Sequence, residues 1–137
     1  MDDILSKVKT EKEAKALIKK HCHGERQFNV YLSGILTENR ISISRLIEQS
    51  SINRNYGYNI IGGSRKNPSR DKVLALCIGA EMTYEQTQEA LDMAKAGRLY
   101  HKDPRDIHIA AAINRKIRNV LDLNLILEKN DLNPLDV

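Results

Sequence analysis

An all-helical fold is what this sequence predicts, on three observations. No run of four to eight residues alternates cleanly between apolar and polar, and no Asn-Gly or Asp-Gly pair separates two such runs, so strand and hairpin signals are nearly absent. Apolar residues recur instead at spacings of three and four along most of the chain. Capping residues then divide the chain into seven or eight short helices. With 137 residues, 41% of them hydrophobic and 29% charged, the chain is long enough to bury a core without a disulfide or a metal.

In chain order, residues 2–9 are short and loosely amphipathic. Thr10, with Glu13 three positions later, forms a capping box for a helix over 11–20, whose stripe is Ala14, Leu17 and Ile18 and which Gly24 closes. Residues 25–38 give a stronger helix with Phe28, Tyr31, Leu32, Ile35 and Leu36 on one face. Ser42 caps a short helix over 43–49 that turns Leu46 and Ile47 inward. After Ser50, Ser51 and Ile52, Asn53 caps a second short helix, 54–61, which stops at Gly62 and Gly63. Asn67 with Pro68 at the first helical position opens the next, carrying Val73, Leu74, Cys77 and Ile78 until Gly79 breaks it. Thr83 and Gln86 box the start of 84–95, with Thr87, Ala90, Leu91 and Ala94 inside. Asp103, Pro104 and Asp106 start a helix whose inner face is Ile107, Ala110, Ala111 and either Ile113 or Asn114. The last helix, 120–129, carries Leu121, Leu123, Leu125, Ile126 and Leu127, too much apolar circumference to stand in water.

The overall net charge of +4 hides a pattern. Residues 51–72 carry five basic groups against Asp71, while residues 73–94 carry four acidic groups and no Lys or Arg. Residues 95–120 return to seven basic groups against two acidic ones. Charge segregated in this way predicts a basic face, or else solvated helix faces that happen to share a sign.

Two short helices joined by about three residues, with an amphipathic helix before them, make a helix-turn-helix candidate. Helix 54–61 is too short to stand alone and has to pack across its predecessor, through Ile60 and Tyr56. Its outward residues would be Arg54, Asn55, Tyr58 and Asn59, side chains that reach base edges, Arg to guanine and Asn to adenine. Ser64, Arg65, Lys66, Ser69 and Arg70 follow as a polar, basic loop entering a helix N-terminus, which is chemistry that suits a phosphate. Arg70 and Asp71 also have a plainer reading as a local pair.

On these residues, the stretch LIEQSSINRNYGYNIIGGSRKNPSRDKVLALC resembles the lambda-repressor-like (XRE-type) helix-turn-helix domain of bacterial and phage regulators, over about residues 28–94. Gly63, Arg65, Lys66, Pro68 and Leu74 stand where that pattern puts them, and Thr83, Glu85 and Leu91 fit its fifth helix. The resemblance implies a five-helix core with extra helices at both ends, and a sequence-specific regulator of transcription that binds symmetric duplex sites as a dimer. It implies base contacts from Arg54, Asn55 and Asn59 and phosphate contacts from Ser64 and Lys66, with Ser69 or Arg70 adding to them. The sequence departs from the pattern at Ile43, where Gln is usual, at Ile47, where a small Ala is usual, and at Ser51, where Gly is usual. Gly57 also stands where a branched apolar residue normally anchors the recognition helix. These departures favour an alternative use of the fold as a protein-interaction module with reduced or lost DNA binding.

The chain thus divides into an N-terminal extension (1–24), a helix-turn-helix domain (25–95) and a C-terminal extension (96–137) that packs on the core or forms a homodimer interface. In that reading Arg105, Arg115, Lys116 and Arg118 stay outside. No enzyme motif is present, and neither a cofactor nor a metal is expected, since the adjacent His21, Cys22 and His23 are poorly placed to ligate one ion. Cys77 reads as a small core residue, and the two cysteines suggest no bridge. No stretch approaches the roughly 20 apolar residues of a membrane span and MDDILSKVKT is no signal peptide, so a cytoplasmic protein without membrane contact is expected.

Overall fold

A computed structural model of the chain describes residues 9–15, 25–64 and 68–137. Among these residues there are helices and no strands. The expectations for residues 2–8, 16–24 and 65–67, including the His21-Cys22-His23 reading, lie outside the described residues. Residues 11–15 are helical, and the Thr10 hydroxyl accepts the Glu13 N–H at 3.1 Å as its cap.

Seven further helices follow: α1 (Glu25–Glu38), α2 (Ile43–Ser50), α3 (Arg54–Ile61), α4 (Arg70–Gly79), α5 (Tyr84–Met93), α6 (Pro104–Asn114) and α7 (Val120–Lys129). The caps are those of the sequence at four starts. Ser42 accepts from the Arg45 N–H, Asn53 from Tyr56, and Asp103 from Asp106, while Thr83 and Gln86 close a full capping box. At α4 the start moves. Ser69, in extended backbone, is the N-cap and accepts the Lys72 N–H, so Pro68 lies ahead of the helix rather than at its first position. Two start signals compete there, and the hydroxyl two residues from Asn67 takes the cap.

α4 is the centre of the molecule. Every residue from Val73 to Ala80 is buried, as expected of a helix apolar on all sides. α2, α5 and α7 pack against it, α1 packs on α3 and α5, and α6 bridges α5 and α7. Cys77 is fully enclosed, and burial pushes its thiol up to about 12, which leaves it an uncharged packing group. Tyr31 on α1 donates a 2.8 Å hydrogen bond to Glu89 on α5, and Asn39 donates to the Ala80 carbonyl at 2.9 Å.

Gly79 does something other than stop α4. It is the last residue of the helix, and the reversal after it is made by Glu81 at φ 60°. A Cβ on Gly79 would lie 3.0 Å from the Ser50 nitrogen and 3.1 Å from the Leu46 carbonyl oxygen, so the missing side chain lets α4 cross the backbone of α2. Gly79→Ala is therefore expected to destabilise by about 1–2 kcal/mol, overpacking against rigid backbone exceeding the helix-propensity gain of Ala. Urea unfolding of the two proteins measures it; an unchanged midpoint would show that the crossing tolerates a methyl.

α6 presents the expected face only in part, with Ile113 buried and Ala110 partly buried against the core. Asp106, Ile109, Ala112 and Ile113 are buried, whereas Ile107 is 48% exposed and Ala111 and Asn114 face solvent. On that buried face Asp106 pairs with Arg70, and Ile109, Ala112 and Ile113 continue it as an apolar stripe. On α7, Val120, Leu123 and Leu127 are buried against the core, and Leu121 and Leu125 are left 67% and 59% exposed. The C-terminal helices thus pack on α2, α4 and α5 and still leave an apolar pair outside. Two basic residues expected outside are engaged, Arg118 with Glu81 and Arg105 with Asp71.

Candidate nucleic-acid interface

α2 and α3 form a two-helix unit whose turn is Ser51, Ile52 and Asn53. Ser51 takes φ 58°, the left-handed conformation in which a glycine is usually found. Ile52 is buried, which fixes the turn to the core. α3 packs on α1 and α2, and no other helix among the described residues makes comparable contact with it. Ile60 is its buried anchor, Tyr56 is half-buried, and the Asn29 side chain donates to the Ile61 carbonyl at 3.2 Å, so α1 holds its C-terminal end. Asn29 also fills the space below Gly63, which has φ 79°.

Two of the departures noted in the sequence are one contact. A Cβ on Gly57 would lie 2.9 Å from Cγ1 of Ile47 and 3.3 Å from its Cδ1. The bulk at position 47 occupies the room that position 57 gives up, and the helices keep their close approach. Size has been exchanged across the α2–α3 contact rather than lost.

The opposite edge of α3 is open. Arg54, Asn55, Tyr58 and Asn59 are all exposed. The Arg54 guanidinium lies over the Tyr58 ring, 5.6 Å from its centroid. Ser64 is exposed at the end of the helix and donates through its hydroxyl to the Asn59 carbonyl at 3.3 Å. Arg65 and Lys66 lie outside the described residues. Ser69 is exposed at the N-terminus of α4, its oxygen taken as acceptor by the cap. Lys72, which the sequence reading passed over, sets its ammonium 4.7 Å from the centre of the Tyr56 ring and adds a cation between α3 and α4. No local spacing signals that pair, since the two residues sit on different helices.

Arg70 faces away from this edge. It donates twice to the Asp106 carboxylate, at 3.0 and 2.8 Å, and once each to the carbonyls of Gly97 and Arg98, both at 3.1 Å. Those four bonds commit the fork to the α5–α6 connection, which leaves little to offer a phosphate. Its neighbour makes the parallel pair: Asp71 takes both ends of the Arg105 fork, at 3.0 and 2.9 Å, and accepts the Asp136 N–H. Arg70 and Asp71, adjacent in sequence, are thus each bound to α6 rather than to each other.

Burial works to raise the Asp71 carboxyl, but the hydrogen bonds from Arg105 and Asp136 and the charges of Arg105 and Arg70 outweigh it and hold its pKa below the usual carboxylate range. A group whose pKa is lowered on folding contributes stability that is complete above the unfolded value, near 4, and is lost as pH falls through the folded one. The expected result is that wild type is more stable than Asp71→Asn at neutral pH and that the gap narrows below about pH 4. Urea midpoints taken from pH 6 downwards check it; a gap independent of pH would remove the linkage.

Comparison of the chain with protein-family models, with curated proteins and with solved structures finds no match.

Proposed function

We propose that this protein is a lambda-repressor-like DNA-binding regulator of transcription that lays α3 in the major groove and sets the 64–69 loop on phosphates. One observation carries the reading: the second helix of a tight two-helix unit leaves Arg54, Asn55, Tyr58 and Asn59 open on one edge, with α1 and α2 as its main supports behind. An arginine and two asparagines are the side chains that read guanine and adenine by paired hydrogen bonds. The basic excess of residues 51–72 supplies the attraction to the backbone. The exchange between Ile47 and Gly57 supports the reading too, because it keeps α2 and α3 close in spite of two unusual residues.

Fluorescence anisotropy with a mixed-sequence duplex at two salt concentrations tests it. Binding is expected to weaken as salt rises, and Lys66→Ala to lower the salt slope by about one, the signature of one lost phosphate contact. Arg54→Ala is expected to weaken binding with its main effect on a preferred site. No binding at low salt would overturn the proposal.

A second reading, a protein-interaction module, rests on Leu121 and Leu125, which stand four residues apart on the outer side of α7. A homodimer through the C-terminal helices would use the same pair.

A further inference from the structure

Ion pairs and ring contacts together set one arginine apart. Arg45, Arg70, Arg98, Arg105 and Arg118 each hold a carboxylate. Arg40, Arg54 and Arg115 have no ion-pair partner among the described residues, and of these three Arg54 lies over a tyrosine ring. That ring belongs to Tyr58, one turn on along α3 and 42% exposed, so a large apolar surface is held in water beside a cation on the open edge of the helix. The stack restrains a flexible side chain and leaves the N–H groups at the rim of the guanidinium plane free to donate.

We propose that Arg54 and Tyr58 act as one reading unit for a two-base-pair step: a G·C pair taken by the guanidinium, and beside it a pair whose pyrimidine carries a C5-methyl group, taken by the ring. The inference rests on the DNA-binding reading above and names the target of that surface. The planar fork of Arg54 matches the O6 and N7 acceptors of guanine. The layers of a duplex are about 3.4 Å apart, so the 5.6 Å between the guanidinium and the ring centre exceeds one layer and falls short of two, which carries the ring past the pair taken by the guanidinium to its neighbour. The C5-methyl is the apolar group of the major-groove edge, and it is the partner an aromatic face selects there. Thymine and 5-methylcytosine both present it.

Selection from a randomised duplex library with the full chain, followed by affinity measurements on the selected site, tests the unit. Wild type is expected to select guanine at one position and thymine next to it. Arg54→Ala should lose the guanine preference, roughly tenfold or more, and keep salt-dependent binding to the pool. Replacing the thymine by deoxyuridine removes only the methyl and should cost wild type about fourfold. That cost should persist in Tyr58→Phe and vanish in Tyr58→Ala. Sites carrying cytosine or 5-methylcytosine at the same position identify which base delivers the methyl. A guanine preference that survives Arg54→Ala overturns the proposal, as does a methyl effect that is equal in wild type and Tyr58→Ala or absent in Tyr58→Phe. Pool binding without any guanine preference overturns it while leaving DNA binding intact, whereas no binding to the pool at low salt removes both.

Discussion

Replacing Asp106 by alanine is expected to destabilise the protein by about 3 kcal/mol, or roughly 10 °C in Tm. Its side chain is only 5% exposed and receives two bonds from Arg70 and one from the Tyr100 N–H at 2.9 Å. Alanine leaves a part-buried guanidinium without its counter-charge and an amide without an acceptor, the situation in which removing one partner costs more than the pair was worth. Arg70, 30% exposed, recovers some hydration, which keeps the loss below that of a fully enclosed pair. Urea unfolding at pH 7 measures the loss; a change under 1 kcal/mol would mean that water replaces the carboxylate at little cost. The comparison with Asp71→Ala is informative, because the Asp71 carboxylate is the more open of the two, 21% against 5% exposed, and a smaller loss is expected there although its arginine, at 20%, is the less exposed one.

Gly57→Val is expected to cost about 2–3 kcal/mol, since a branched side chain enters space already held by Ile47. Ile47→Ala alone should cost about 1 kcal/mol, for the burial of a half-buried side chain. Together they should nearly compensate, leaving a loss below about 1 kcal/mol and a coupling of about 3 kcal/mol in a double-mutant cycle. A double variant whose loss is simply additive would show that the two residues do not share the volume. The same cycle read on duplex binding separates the shape of the two-helix unit from its surface, because neither residue belongs to the open edge of α3.

What was legible in the sequence is the chemistry that acts over three residues. Ser42, Asn53, Thr83 and Asp103 announce their helices because a cap binds an amide within its own first turn. The burial of α4 followed from its unbroken apolar run, and the exposed edge of α3 followed from its polar residues. What was hidden depends on partners far along the chain. Arg70 reads as a surface cation until Asp106, 36 residues later, is known to face it. Asp106 in turn looks like a solvated first-turn acid, and so the first turn of α6 was read with Ile107 inward in its place. Position 47 and position 57 each look like a defect when taken singly; only the distance between them makes them one fitted contact. Ser69 and the Asn67-Pro68 pair are both sound start signals, and nothing local ranks them.

The packing of α7 on both α2 and α4 has a consequence for the order in which the protein is made. The α2–α3 unit leaves the ribosome early, but one side of α2 and one side of α4 are covered by residues 120–129. Until those residues emerge, the nascent chain carries apolar surface on α2 and on its central helix that α7 later covers. The helix behind the surface that we propose to meet DNA, α2, therefore gains one of its packing partners only when α7 folds back onto it.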